Sequence, residues 1–291
     1  MNSSLSFDVT CFGAAHIDQI AKAEKTLVAE SSTPGRIKRS VGGVASNVAR
    51  QLSDLGLSVA MAGQTGHDND GYFVHKTLEA DGVNTDLIMT TESEATGGYL
   101  AIEDHNGELV LAVSDTHALL TLSLEDLTAA ARTATRSAWW FVDSNLTPDM
   151  LNVLTRTEDH PPIAVDAVSV SKVGRLEGRL SEFDLLFCNK DEACALLGQH
   201  FSNATEAGQA MAAQGMTASV VTDGPRPVSV QSGPKVEQID VPPVVVNSVT
   251  GAGDALIAGT LAGLVGDIPL ESAVRQGISS AARQLVRQFD T

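Results

Sequence analysis

Residues 250–265 read TGAGDALIAGTLAGLV. Gly251 and Gly253 make a turn, and from Ala255 onward small and apolar residues continue as a helix. A helix entered in this way leaves its first backbone N–H groups without intrahelical partners. Together with the helix dipole they form a site for an anion. Asp254 stands beside that site. A carboxylate there can take a proton from an attacking hydroxyl while the N–H groups hold the charge of phosphoryl transfer. By spacing alone, a Gly-rich loop with Asp254 as an ordinary acidic first-turn residue is the commoner occurrence.

Working outward, short and nearly continuous apolar runs alternate with amphipathic stretches. Strands are expected at 7–12, 58–62, 138–143, 163–167, 184–188 and 218–222. Their apolar character on both sides suits strands covered on both faces. In 44–56, Val44, Val48, Leu52 and Leu55 recur at helical spacing before Gly56. In 270–287, Val274, Ile278, Ala281 and Leu285 do the same, with Arg275, Arg283 and Arg287 off that stripe. This alternation predicts an α/β fold, a parallel sheet with helices on both faces. Two regions break it. Residues 17–40 are polar and irregular around Thr33-Pro34-Gly35, and 97–113 read as a hairpin about an Asn106-Gly107 turn. The hairpin fits a lid and an ordinary edge excursion equally.

The chain has 291 residues, 43% hydrophobic and only 4% aromatic, enough for a substantial core in one large domain or two modest ones. The net charge of −17 repels phosphate backbones and argues against nucleic-acid binding. It leaves room for a nucleotide pocket lined by backbone N–H groups. No apolar run reaches the length of a membrane span, and MNSSLSFDVTCFG lacks the features of a signal peptide. Cys11, Cys188 and Cys194 have no metal-ligand spacing, and Cys11 and Cys188 read as buried small hydrophobes. A cytoplasmic protein without a membrane partner is expected.

Other phosphate motifs are absent: there is no GxxxxGK[ST], no complete GxGxxG and no protein-kinase signature. A second glycine motif, Gly42-Gly43-Val44-Ala45-Ser46-Asn47, leads into the 44–56 helix. Alone it reads as a structural turn. As a pair, in this order and at this separation, GGVASN and TGAGD resemble the signatures of the PfkB/ribokinase family of carbohydrate and nucleoside kinases. The resemblance runs from Gly13 to the last helix.

It implies a single domain over 1–291, a ribokinase-like three-layer α/β/α fold with a small β-sheet lid built from about 17–40 and 96–117. It implies Asp254 as catalytic base, with Gly251, Ala252 and Gly253 as the backbone anion hole. Asp18 would grip sugar hydroxyls, since two carboxylate oxygens can accept from two adjacent OH groups. Gly42, Gly43 and Asn47 would face the sugar. Asn189 and Glu192, in NKDE, would organise phosphate and Mg²⁺ through water rather than by direct ligation. Thr222, Gly224 and Thr250 would lie beside ATP. Some members use a monovalent cation, which the sequence leaves undecided here.

Within the family, several details are similar to pseudouridine kinases: Pro34-Gly35 before the GG motif, the VTGAGD form, Asn145-Leu146 after a strand, and DAVSVSK at 166–172. They imply Asn145 as a substrate contact and Lys172 as either a pocket residue or a solvated loop lysine. Asp115 resembles an aspartate after the lid hairpin in that group. His16 stands where many members have Asn, and Ala167 where proline is usual; His16, two residues before Asp18, reads as a substrate contact. His67, His75, His105, His117, His160 and His200 read as surface or loop residues. The implied reaction is ATP-dependent phosphorylation of a nucleoside 5′-hydroxyl. The same chemistry on ribose or a hexose derivative, and a non-catalytic binding protein on the same fold, remain alternatives; the intact TGAGD weighs against the latter. A homodimer through the lid sheets is expected, because a small exposed sheet otherwise leaves edges and apolar residues uncovered.

Overall fold

The computed structural model describes residues 6–246 and 250–286. Val249 of the VTGAGD form and Arg287 lie outside them. The first half of the chain runs β1 (Val9–Phe12), β2 (His16–Ala23), β3 (Gly35–Gly42), α1 (Val44–Asp54), β4 (Val59–Gly66), α2 (Asn69–Ala80), β5 (Asn84–Thr91), β6 (Gly98–Glu103), β7 (Leu109–Asp115), α3 (His117–Leu120) and α4 (Leu124–Ala134). The second half runs β8 (Trp139–Asp143), α5 (Pro148–Thr155), β9 (Ile163–Asp166), β10 (Leu185–Asn189), α6 (Lys190–Leu197), α7 (Ala204–Ala213), β11 (Ala218–Asp223), β12 (Arg226–Ser232), β13 (Lys235–Ile239), α8 (Ala252–Val265) and α9 (Leu270–Val286).

The large sheet has the order β13-β12-β11-β10-β9-β8-β1-β4-β5. It is parallel from β5 to β11 and closes with antiparallel β12 and β13. Alternate residues feed two cores. Trp140, Val142, Ile163 and Val165 face a layer that contains Leu127, Leu151 and Met211. Phe141 and Ala164 face a layer that contains Val48, Leu52, Leu261 and Val274. With side chains pointing alternately up and down, strands buried on both faces must be apolar at every position. All six strand expectations fall on strands of this sheet. β5, β12 and β13 carry no comparable apolar run and lay outside the expectation.

A second sheet has the order β3-β2-β6-β7. Here the expectation of an irregular 17–40 is corrected. β2 and β3 pair antiparallel from His16↔Gly42 to Ala23↔Gly35, and β2 runs parallel to β6. These strands are polar because much of their surface meets solvent, so no apolar periodicity marks them. The 97–113 hairpin forms, although its turn is longer than two residues. Glu103 pairs with Leu109, and Asp104 caps the loop through the N–H groups of Asn106 and Glu108 (2.8 and 2.9 Å). Leu109, Val110, Leu111 and Val113 of β7 are each more than half exposed.

Candidate active site

Parallel strands end together, so residues just beyond their carboxyl ends share one rim, the usual binding crevice of such sheets. Here that rim carries Gly13–Ala15 after β1, Asp143 at the end of β8, Asp166 at the end of β9, Asn189 at the end of β10 and Thr222 near the end of β11.

α8 begins as its glycines predict. Gly251 is the N-cap in a left-handed conformation (φ 76°), and no side chain caps the helix. The N–H groups of Ala252, Gly253 and Asp254 precede the first helical hydrogen bond, which Ala255 makes to Gly251 O at 3.0 Å. A Cβ on Gly253 would meet no atom within 4 Å, and Gly253 borders a cavity of about 160 Å³. Packing therefore does not require glycine there, and the backbone lies open to the cavity. Asp254 shares that cavity with Asp166, Val168, Glu192 and Thr222.

Asn47, one turn into α1, donates from Nδ2 to Asp254 Oδ2 at 2.8 Å. The two glycine motifs, two hundred positions apart in sequence, thus meet at the carboxylate (|i−j| = 207). Burial raises the Asp254 pKa to about 7; the Asn47 hydrogen bond opposes the shift, and Asp143 and Asp18 add to it. Burial likewise pushes Asp166 well up, with Glu192, Asp254 and Asp143 reinforcing the effect.

Asp18 sits on β2 facing Gly42: a Cβ on Gly42 would run into the Asp18 carboxylate. Gly43, the N-cap of α1 at φ 98°, abuts the Ala14 carbonyl in the same way. His16 Nε2 lies 3.2 Å from Asp18 Oδ1. His16 Nδ1 and Asp18 Oδ1 are buried without a hydrogen-bond partner. Unsatisfied buried polar atoms beside a rim mark a place for a polar ligand.

Other expected residues fall differently. Asn189 and Glu192 form a capping box for α6. The Asn189 side chain accepts from Glu192 N at 2.8 Å, and Glu192 Oε2 accepts from Asn189 N at 2.8 Å. Asn145 accepts from Lys172 Nζ, so these two form one wall, and Lys172 is half-buried rather than a solvated loop lysine. Thr222 lines the cavity. Gly224, in the turn after β11 at φ 59°, is not brought to its wall. Thr250 is exposed and its carbonyl accepts from Gln284 Nε2 at 3.2 Å. One histidine corrects the surface-or-loop reading: His75 is partly buried on α2 beside Thr65. His160 lies in a loop, as read, and packs on the Trp140 ring at 5.8 Å. Cys11 and Cys188 are buried, as read.

Sequence reasoning passed over two residues. Asp143 is fully buried and accepts from Ala14 N (3.0 Å), Ala45 N (3.0 Å) and Asn145 N (2.9 Å). It ties the end of β1, the start of α1 and the turn after β8 into one piece, and a Cβ on Gly13 would run into it. The only signal was a charge ending the apolar run WWFVD. Arg175 donates from Nη1 to the carbonyls of Ser144 (2.9 Å) and Asn145 (2.6 Å), contacts that no local pattern announces.

A model of the pfkB family carbohydrate kinases matches residues 6–288. The chain belongs to this family. It is 30% identical over 281 residues to the pseudouridine kinase of Escherichia coli K12, covering 94% of this chain and 90% of that protein. A carbohydrate kinase from Agrobacterium tumefaciens superimposes with a TM-score of 0.85 at 30% identity, over 97% of this chain and 92% of the other. An Arabidopsis thaliana ribokinase solved with ribose and ATP superimposes at 0.82 and 18% identity, over 98% and 94%, and shares the fold. The protein is thus a pfkB-family enzyme with the ribokinase-like α/β fold, an ATP-dependent sugar or nucleoside kinase. Among its described residues no helix is long and apolar enough to cross a membrane.

Proposed function

We propose that this pfkB kinase phosphorylates the 5′-hydroxyl of a nucleoside, pseudouridine first among them, in the cytoplasm. The observation that carries the chemistry is the Asp254 carboxylate, held by Asn47 beside the open N-terminus of α8. The 30% identity with a pseudouridine kinase over 94% of the chain supports the substrate. In the reaction, Asp254 takes the O5′ proton as that oxygen bonds to the γ-phosphorus of ATP. The bond from that phosphorus to the bridging oxygen breaks, and ADP leaves. The N–H groups of Gly251, Ala252 and Gly253, with that of Asp254, hold the developing charge. Asp18 and Asn47 orient the ribose, and Asp143 positions the loops that carry them. The sheet β3-β2-β6-β7 acts as a lid that excludes water from the transfer.

The donor set also fits a hydrated Mg²⁺. Asp166 spends one oxygen on Val168 N (2.9 Å) and Glu192 one on Asn189 N, which leaves each residue, both lining the cavity, a second oxygen to offer. No group of three metal-binding side chains forms among the described residues. Two carboxylate oxygens suit an ion that keeps most of its waters, and the ion would supply charge neutralisation at the β- and γ-phosphates.

The test is ADP production with Mg-ATP and, in parallel, pseudouridine, uridine, adenosine, ribose and fructose. Preference for pseudouridine is expected. Preference for ribose or fructose would keep the chemistry and overturn the substrate.

A further inference from the structure

The amide of Gln64, 6% exposed at the end of β4, has its direction fixed by the fold. Nε2 donates to Ala118 O at 2.6 Å and to Thr121 Oγ1 at 2.8 Å. A carbonyl oxygen can only accept. The Thr121 hydroxyl spends its own proton on the same Ala118 O at 2.9 Å, so toward Gln64 it too accepts. Both Nε2 protons are therefore used, and a flipped amide would set oxygen against oxygen. Oε1, with no partner among the described residues, is left as a directed acceptor.

Gln64 borders a second, small cavity with His16, Gly97, Asp115, Thr116 and Leu119. His16 connects it to the sugar-facing carboxylate, since its Nε2 lies 3.2 Å from Asp18 Oδ1 and its Nδ1 is buried without a partner. The cavity volume is about 10 Å³, room for one polar atom or a water rather than a ring. A base attached to a ribose on Asp18 can present one edge at its mouth.

We propose that Gln64 Oε1 accepts a hydrogen bond from a ring N–H of the substrate's base, and so selects the nucleoside. The inference rests on the nucleoside-kinase reading. An acceptor with no proton to give rejects a ring C–H or a second acceptor at that point, because its lone pair, once the base covers it, then goes unpaired. Pseudouridine presents a ring N–H where uridine presents C–H, so this one contact separates two nucleosides of the same size.

The experiment measures kcat and KM for pseudouridine and uridine with Mg-ATP in wild type, Gln64→Met and Thr121→Val. Methionine keeps the volume and removes the acceptor; valine removes one of the two groups that aim it. The expected result is a pseudouridine-to-uridine ratio of kcat/KM that falls roughly ten- to hundredfold in Gln64→Met and less in Thr121→Val. An unchanged ratio, or equal losses on both nucleosides, would assign Gln64 a structural role and overturn the proposal. Should Gln64→Met fail to fold, the direction of change in Thr121→Val decides. Wild type active on free sugars and on no nucleoside would overturn the underlying reading as well. Nucleoside turnover with an unmoved ratio would overturn the Gln64 assignment alone.

Discussion

Asp254 carries two consequences of one burial. With Asp254 as the proposed base, a pKa of about 7 leaves a useful fraction ionised near neutral pH and the group still strong enough to take a proton. Below about pH 7, kcat/KM for the acceptor should fall roughly tenfold per unit, as one proton blocks the base. A pH profile flat down to pH 5 would exclude Asp254 as the base. Asp254→Asn should lose on the order of 10²–10⁴ in kcat. The sign for stability is opposite to that of a salt-bridged aspartate. The folded-state pKa lies above the ordinary value of 3.8, so between about 4 and 7 the folded state binds more protons. Stability drains away as pH rises through that window. Asp254→Asn should therefore melt higher than wild type, by more at pH 8 than at pH 5, a site held ionisable against stability. Melting scans at the two pH values check this. The type of residue 254 was legible beside its glycines; its burial, and Asn47 as its partner, came from contacts across the fold.

α6 shows an element whose motif carries two meanings. Asn189-Lys190-Asp191-Glu192 resembles a ligand-organising signature, and the spacing is equally that of a capping box. In the structure Asn189 and Glu192 cap each other's backbone, and Glu192 also lines the cavity. Asn189→Ala should cost about 1 kcal/mol in urea unfolding and raise the KM for Mg-ATP more than the KM for the nucleoside. Equal effects on both KM values would remove Glu192 from the nucleotide side. β2 and β3 teach the converse. Their polar faces hide a regular ladder, because a strand that borders solvent need not repeat apolar residues.

At the scale of the molecule, β7 is the unfinished part. Leu109, Leu111 and Val113 lie open on an edge strand, and Leu100 of β6 is 46% exposed beside them. Isolated apolar residues on a surface are ordinary; for this contiguous strip on an edge strand we propose a docking surface for a second copy. A second copy pairing its own four-stranded sheet here would cover it. Light scattering should give twice the monomer mass of 30.4 kDa. Leu111→Lys with Val113→Lys should give monomers of lower activity. A monomeric wild type would end the idea.

The sequence by itself determined the layered architecture, because strands covered on both faces must be apolar at every position and this leaves a local record in six runs. It also marked the helix entered through Gly251 and Gly253, because the left-handed N-cap at Gly251 favours glycine. The tertiary structure alone decided which groups meet. Asn47 reaches Asp254, Asp143 gathers the N–H groups of Ala14, Ala45 and Asn145, and Ala118 and Thr121 aim Gln64. Each partner comes from a distant segment or a loop without periodicity. The energy of such a contact depends on where the sheet ends its strands, and no local run of residues records it.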